Sequence, residues 1–320
     1  MQGKLHSKEH VISLIKEGRH LALSADESIL KELPKGNWIG GTIPYFLDEK
    51  GGIFTKDQIM VTDFSEISTE SSITLYDESN LSDITRDAFD NGFSFLILPA
   101  LQPIHLEFAL NSPDYDNLFK NPLVGLIAGV ALEEIGHVSP KVFYGATGEF
   151  YENKGVALHV ALPDDKVARL EIVNIFEPDK DGPVLEFNKD DFSYKEVLID
   201  GKLTNFAEYI EENNIDIRNP LVADYSGAHV NVSFQSINED NGDVVFYAPL
   251  FEGRKYYLAK PIGNYVETFK KQMPENDNSI QFTCNCILNY LYGELENKKI
   301  GFRGPITFGE IAYQLLNQTF

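Results

Sequence analysis

The residues best suited to chemistry lie near the C-terminus. Cys284 and Cys286, the two cysteines of the chain, flank Asn285 and follow the apolar run Ile280-Gln281-Phe282-Thr283. Beyond them Ile287, Leu288, Leu291 and Leu295 recur at helical spacing. A strand handing over to a helix here would present free N–H groups and the positive end of the helix dipole, which stabilise a thiolate or another anion. Two uses fit. One is a reactive thiol in a cysteine-dependent enzyme or redox protein; the other is packing or pocket lining, the commoner fate of a free cysteine. A nucleophile needs a base or cation nearby and none is adjacent in sequence; a Cys-x-Cys pair also cannot complete a four-ligand zinc site. Arg303, on the loop before Gly304-Pro305, can pair with an anion or face water. Gly309-Glu310 follows, near the start of an expected last helix, where the carboxylate would cap N–H groups or receive a ligand amine.

A second constellation spans Asn37 to Phe46 and holds the only tryptophan, Trp38. Gly40-Gly41-Thr42 can form an anion-binding concavity from successive N–H groups, or a tight strand crossing. No lysine follows in P-loop register, and dinucleotide-fingerprint spacing is missing. Trp38 and Tyr45 offer flat walls for a pocket or for a core. Glu134 and His137 have the Glu-x-x-His spacing of helix-borne metal sites, but a second copy is required and Gly136 weakens the helix. His105, His159 and His229 sit on apolar segments, where a hydrogen-bonded core histidine is the usual outcome. Gly-x-Ser-x-Gly and His-Glu-x-x-His signatures are absent.

Interleaved strands and helices must position these groups. Helices are expected at His10 to Glu17, Ala25 to Leu33, Ser79 to Asn91, from His105 to Leu110, at Asn205 to Glu212 and at Val266 to Met273. Strands are expected at Leu21 to Ser24, Ile59 to Thr62, Phe93 to Pro99, Val142 to Gly145, Gly155 to Leu162, Val167 to Ile175, Gly227 to Phe234, Val244 to Pro249 and Tyr256 to Ala259. Gly51-Gly52 and Asn241-Gly242 read as hairpin turns. The class is α/β or α+β, with mixed sheets, flanking helices and two related halves.

Composition sets bounds on function. The 320 residues carry a formal charge of -22, which opposes a grip on nucleic acid. An apolar content of 43%, with 22 Phe and 15 Tyr, suffices for large cores. Met1 to Gly18 is charged throughout, unlike a secretory signal, and the longest apolar run, Pro122 to Leu132, is too short for a bilayer. A cytoplasmic protein without membrane association is expected.

The order Asn37 to Phe46, Phe93 to Pro99, Asn121 to Val130 and Val142 to Leu162 resembles the N-terminal half of FIST sensory proteins. Phe282-Thr283-Cys284-Asn285-Cys286, Gly304-Pro305, Phe308-Gly309-Glu310-Ile311 and Asn317-Gln318-Thr319 resemble their C-terminal domain. The Asn37 to Phe46 segment is also similar to that of a set of uncharacterised bacterial proteins. The FIST resemblance implies bounds for the two halves, residues 1–190 and 191–320, a small-molecule ligand, a signal passed to a separate protein, and haem as the one cofactor suggested. It places the ligand near Trp38, Gly40, Gly41, Thr42, Tyr45, Cys284, Asn285, Cys286, Arg303, Gly309 and Glu310.

Overall fold

The computed structural model describes residues 3–225, 227–273 and 279–320. Contacts divide the chain into two compact units: Met1–Ile172 with Met273–Leu315 and Phe320, and Val173–Gln272 with Leu316–Thr319. A boundary at 190/191 would fall inside the second unit. Within the first unit the C-terminal stretch pairs with strands of its N-terminal part.

In the first unit the chain forms β1 (Lys4–His6), α1 (Lys8–Lys16), β2 (Leu21–Ala25), α2 (Glu27–Leu30), β3 (Trp38–Thr42), β4 (Tyr45–Asp48), β5 (Gly51–Phe54), β6 (Ile59–Asp63) and β7 (Glu70–Tyr76). Then come β8 (Gly92–Pro99), α3 (Pro103–Asn111), β9 (Leu123–Ala128), β10 (Val142–Tyr144), β11 (Glu149–Tyr151) and β12 (Gly155–Ala161). The first sheet has the order β1-β6-β2-β3-β10-β11. Its β2 and β3 are parallel, joined through α2, and its remaining pairs are antiparallel. In the second sheet β8 and β9 are likewise parallel, joined through α3, with β12 and β7 antiparallel beyond β8. Each parallel pair needs a crossover, which the helices supply.

The two sheets face each other across one core, in which Ile39, Met60 and Val142 of the first meet Phe95, Ile97, Leu126 and Leu158 of the second. Gly41 marks the closest approach: a Cβ there would lie 2.8 Å from Ile97 Cγ2 and 3.3 Å from Ala128 Cβ. The other face of the first sheet packs Leu21, Leu23, Trp38 and Phe143 under α1 and α2. Helix α1 starts where Ser7 Oγ accepts the His10 N–H, and it buries Val11 and Ile15, one helical turn apart. Helix α2 is capped by Asp26 and spans only four residues.

The second unit contains β13 (Leu185–Glu186), β14 (Asp191–Tyr194), β15 (Glu196–Ile199), β16 (Lys202–Asn205), α4 (Phe206–Glu212), β17 (Leu221–Tyr225), β18 (Ala228–Val232), β19 (Phe234–Ile237), β20 (Val244–Leu250), β21 (Tyr256–Leu258) and α5 (Tyr265–Gln272). They form sheets β16-β15-β13-β21-β17-β18 and β14-β20-β19. Phe187, Phe206, Phe234 and Phe246 pack with centroids 4.8–6.4 Å apart, so aromatic area dominates this core. Residues 316–319 complete it, with Asn317 Oδ1 accepting the Ser233 N–H at 3.0 Å and Gln318 Oε1 accepting the Ser233 hydroxyl at 2.6 Å.

The last stretch adds β22 (Asn285–Cys286), α6 (Ile287–Tyr292), β23 (Gly304–Thr307), β24 (Glu310–Ala312) and β25 (Gln314–Leu316). Strands β22-β23-β4-β5 make a small third sheet, while β24 pairs with β9 and extends the second.

The structure confirms the mixed α/β class and corrects several elements. Val167 to Ile175 forms no strand; Val167 is exposed and the segment leads from one unit to the next. Ser79 to Asn91 holds only a 3₁₀ turn, Leu81–Thr85. Ile280 to Thr283 is irregular, and the expected last helix is the strand pair β24 and β25, whose apolar residues meet ladder partners. Gly51-Gly52 is no turn tip. It opens β5 and receives the backbone of residues 295–298, with Gly52 N–H bonded to Leu295 O and Asn297 N–H to Gly52 O.

Candidate functional site

Strands β2, β3 and β9 end close together, and the residues after their carboxyl ends are released from the ladders. The Gly129 N–H bonds Thr42 O at 2.8 Å, tying the end of the second sheet's β9 to the end of β3. Beside this junction lies a cleft of about 290 Å³, lined among others by Asp26, Thr42, Pro44, Lys56, Gly129 and Glu134. Carboxyl ends of parallel strands are where α/β sheets commonly open a crevice, because their loops diverge there.

The cleft wall is an alternation of charges. Lys56 Nζ lies 2.5 Å from Glu134 Oε1 and 3.6 Å from Asp26 Oδ2. The Glu134 contact raises the Lys56 ammonium above its ordinary range. Glu27 pairs with Lys31 and, at 2.9 Å, with Lys141. Lys141 is almost buried; its ammonium also meets Glu152 at 3.2 Å and donates to Ser139 O at 3.0 Å. Burial works against both charges of the Glu27–Lys141 pair, yet the carboxyl is held below the ordinary range by Lys31 and then Lys141, and the ammonium above it by Glu27 and then Glu152. Thr42 closes the floor: its Oγ1 accepts the Lys141 backbone N–H at 2.9 Å. Such a wall offers ammonium, carboxylate and hydroxyl groups within one small volume, suited to hold a compact polar molecule by charge-assisted hydrogen bonds.

Of the residues singled out in sequence, Thr42 and Glu134 line this cleft, and Tyr45 lies beside it with its hydroxyl accepting the Leu132 N–H at 3.0 Å. Tyr45 also meets Phe54 and Tyr290, with centroids 5.1 and 5.6 Å away. Trp38 is buried under the helices and donates from Nε1 to Pro34 O at 2.9 Å. A Cβ on Gly40 would meet Trp38 and Leu30, whereas Gly41 faces the inter-sheet core.

The C-terminal residues form a separate buried polar cluster in the same unit. Cys284, Asn285, Cys286, Asn289, Thr307 and Glu310 are all buried. Asn289 Nδ2 donates to Asn285 Oδ1 at 2.9 Å, and the Thr307 hydroxyl lies 3.1 Å from Glu310 Oε1. Cys286 is the N-cap of α6 but makes no side-chain capping bond. Burial first, and the Glu310 carboxylate second, push the Cys284 thiol well above its ordinary range, the reverse of nucleophile activation. Gly309 turns the chain between β23 and β24, and its carbonyl accepts the Ile127 N–H at 2.9 Å. Arg303 reaches Glu49 at 2.6 Å on the surface. Glu134 lies on a 3₁₀ turn, Leu132–Glu134, and Gly136 takes φ +82°, so the Glu-x-x-His spacing is not carried by an α-helix.

Sequence reasoning missed Asp26, Glu27, Lys31 and Lys56 as residues lining the cleft, and Lys141 as the ion-pair partner of Glu27. The available signal was a charged residue directly after an apolar strand, as Asp26 follows β2. Among the described residues no helix is long and apolar enough to cross a membrane, and no group of three or more His, Cys, Asp or Glu side chains could hold a metal ion.

No curated protein and no solved structure matches the chain. The model of a family of unknown function, DUF6976, matches residues 6–320, so the chain belongs to that family.

Proposed function

We propose that this protein binds a small polar molecule in the cleft at the ends of β2, β3 and β9, and that it serves as a cytoplasmic sensory protein read by a separate partner. The observation that carries the binding role is the cleft of about 290 Å³ whose wall supplies Asp26, Lys56 and Glu134 together with Thr42. Its size lies near the lower end for small-molecule sites, which favours a metabolite-sized ligand. Because β3 and β9 belong to different sheets, a molecule spanning Thr42 and Gly129 would bias how those sheet ends sit, a change that a partner can read. The resemblance to FIST proteins supports the sensory role, and two free thiols support a reducing compartment.

Thermal-shift screening of the full chain against a panel of polar metabolites tests this, with native mass spectrometry of the protein as purified. A compound that raises Tm in the wild type and fails to do so in Glu134→Gln and Asp26→Asn establishes the cleft as its site. Finding no such compound, or one whose shift is the same in both variants, defeats the assignment.

A further inference from the structure

The second sheet holds a hydrogen-bond chain that the cleft does not use. Ser94 of β8 and His159 of β12 are register partners, and both are buried. They alternate with Phe93, Phe95, Leu158 and Val160, which point into the inter-sheet core, so Ser94 and His159 occupy the opposite face of the sheet. Ser94 Oγ lies 2.7 Å from His159 Nδ1, and His159 Nε2 lies 3.0 Å from the Tyr76 hydroxyl. That hydroxyl donates to Asp87 Oδ2 at 3.0 Å.

The protons in this chain follow from its end. A carboxylate only accepts, so the Tyr76 hydrogen points to Asp87 and the Tyr76 oxygen accepts from His159. Nε2 therefore carries the ring proton, Nδ1 accepts, and Ser94 donates to it. Every hydrogen points towards Asp87, and all four groups are satisfied with a neutral imidazole. Asp87 belongs to the segment 77–91, which is irregular apart from its 3₁₀ turn yet buries Leu81 and Ile84. Its far end is tied by the Leu162 N–H to Asn91 O at 2.9 Å and by Asn121 Nδ2 to Phe89 O at 2.9 Å, and the Tyr76–Asp87 bond fastens its middle to the sheet.

We propose that the Ser94–His159–Tyr76–Asp87 chain is a latch fastening segment 77–91 to the second sheet, and that a proton taken up by His159 releases it. A proton added from solvent to Nδ1 removes the acceptor of the Ser94 hydroxyl and leaves an imidazolium inside the sheet face; opening returns that charge to water. The titratable groups facing His159 are Tyr76 from β7 and Asp87 from the segment. Arg86 pairs with Asp87 at 3.5 Å and with Asp83 at 2.8 Å, so part of the Asp87 charge is engaged elsewhere. Burial lowers the ring to about 4 against the opposing pull of Asp87, which agrees with a latch that closes on the neutral form.

Hydrogen exchange of the full chain, followed by mass spectrometry and corrected for intrinsic rates, tests the latch. An opened ring titrates near 6.5 and the latched one near 4, so protection of peptides in segment 77–91 should fall about twentyfold between pH near 7 and pH near 5. In His159→Gln that extra fall should vanish from this segment, while peptides of α3, which carries the separate buried His105, keep their own dependence. Equal protection at the two pH values in the wild type, or an unchanged fall in His159→Gln, overturns the proposal. Should that variant not fold, Tyr76→Phe decides: the segment should lose about tenfold protection near pH 7 while β9 keeps its own, and unchanged protection of the segment overturns the latch.

Discussion

Gly41 shows how one residue type serves two different ends. In sequence, Gly40-Gly41-Thr42 fits both an anion-binding loop and a tight strand crossing, because both require a missing side chain. The distances decide between them for each glycine. A Cβ at Gly41 would press on Ile97 Cγ2 and Ala128 Cβ, whereas one at Gly40 would meet nothing closer than Trp38 Cζ3 at 3.2 Å. Gly41→Ala should therefore lower stability by about 1–3 kcal/mol through overpacking, and Gly40→Ala by clearly less, as measured by urea denaturation; equal costs would remove the inter-sheet role. The thiols are a second case at this scale. With Cys284 buried beside Glu310 and its thiol pushed upward, iodoacetamide near neutral pH should alkylate it at least about tenfold more slowly than an exposed cysteine, and at the exposed rate once urea unfolds the chain. Rapid labelling of folded protein at Cys284 would return weight to thiol chemistry.

Elements were legible where one local pattern decided them. The run Phe93 to Pro99 announced a strand covered on both faces, observed as β8, and the spacing of Val11 and Ile15 announced α1. Illegible elements were those whose partner lies far away in sequence. Gly51-Gly52 carries a turn signature, but its structural use is to admit Leu295 and Asn297, about which nothing local informs. Glu310 to Leu316 has helix-compatible spacing, yet β9 offers an edge and the ladder prevails. The cleft was half legible for the same reason: Thr42 is in the segment singled out, while Asp26, Lys56 and Glu134 come from three other places. The docking of 295–298 has a direct test. A Cβ on Gly52 would stand 2.6 Å from Leu295 O, a backbone atom that cannot swing aside. Gly52→Ala should cost about 1–3 kcal/mol and speed tryptic cleavage at Lys298 and Lys299. Unaltered cleavage would show that the segment holds by other contacts.

At the scale of the whole molecule, acid should act on the first unit chiefly through two buried histidines, His105 and His159; the half-buried His6 is lowered too, by burial first and by its neighbour His10 second. His105 of α3 accepts the Leu101 N–H at Nδ1, and its Nε2 meets no partner among the described residues; burial lowers it from 6.5 to about 4. His159 is lowered to the same value, again by burial. The folded state thus keeps both rings neutral while the unfolded state binds protons below 6.5, so stability is full above that pH and declines towards 4. Each group contributes up to about 1.4 kcal/mol per pH unit in that window. The formal charge of -22 pulls the other way, since neutralising carboxylates relieves repulsion. Ordinary carboxylates, however, titrate near 4, and between about pH 5 and 6 few of them change state. The histidines should therefore dominate that interval. Trp38, the only tryptophan, is buried in the first unit and reports its unfolding by fluorescence. Urea midpoints read at Trp38 should fall with decreasing pH at a slope approaching two protons, and His105→Gln or His159→Gln should each remove about one of them. A flat profile between about pH 5 and 6 would mean that both rings already carry a proton in the folded chain, and the neutral hydrogen-bond chain through Ser94 and Tyr76 would fall with that result.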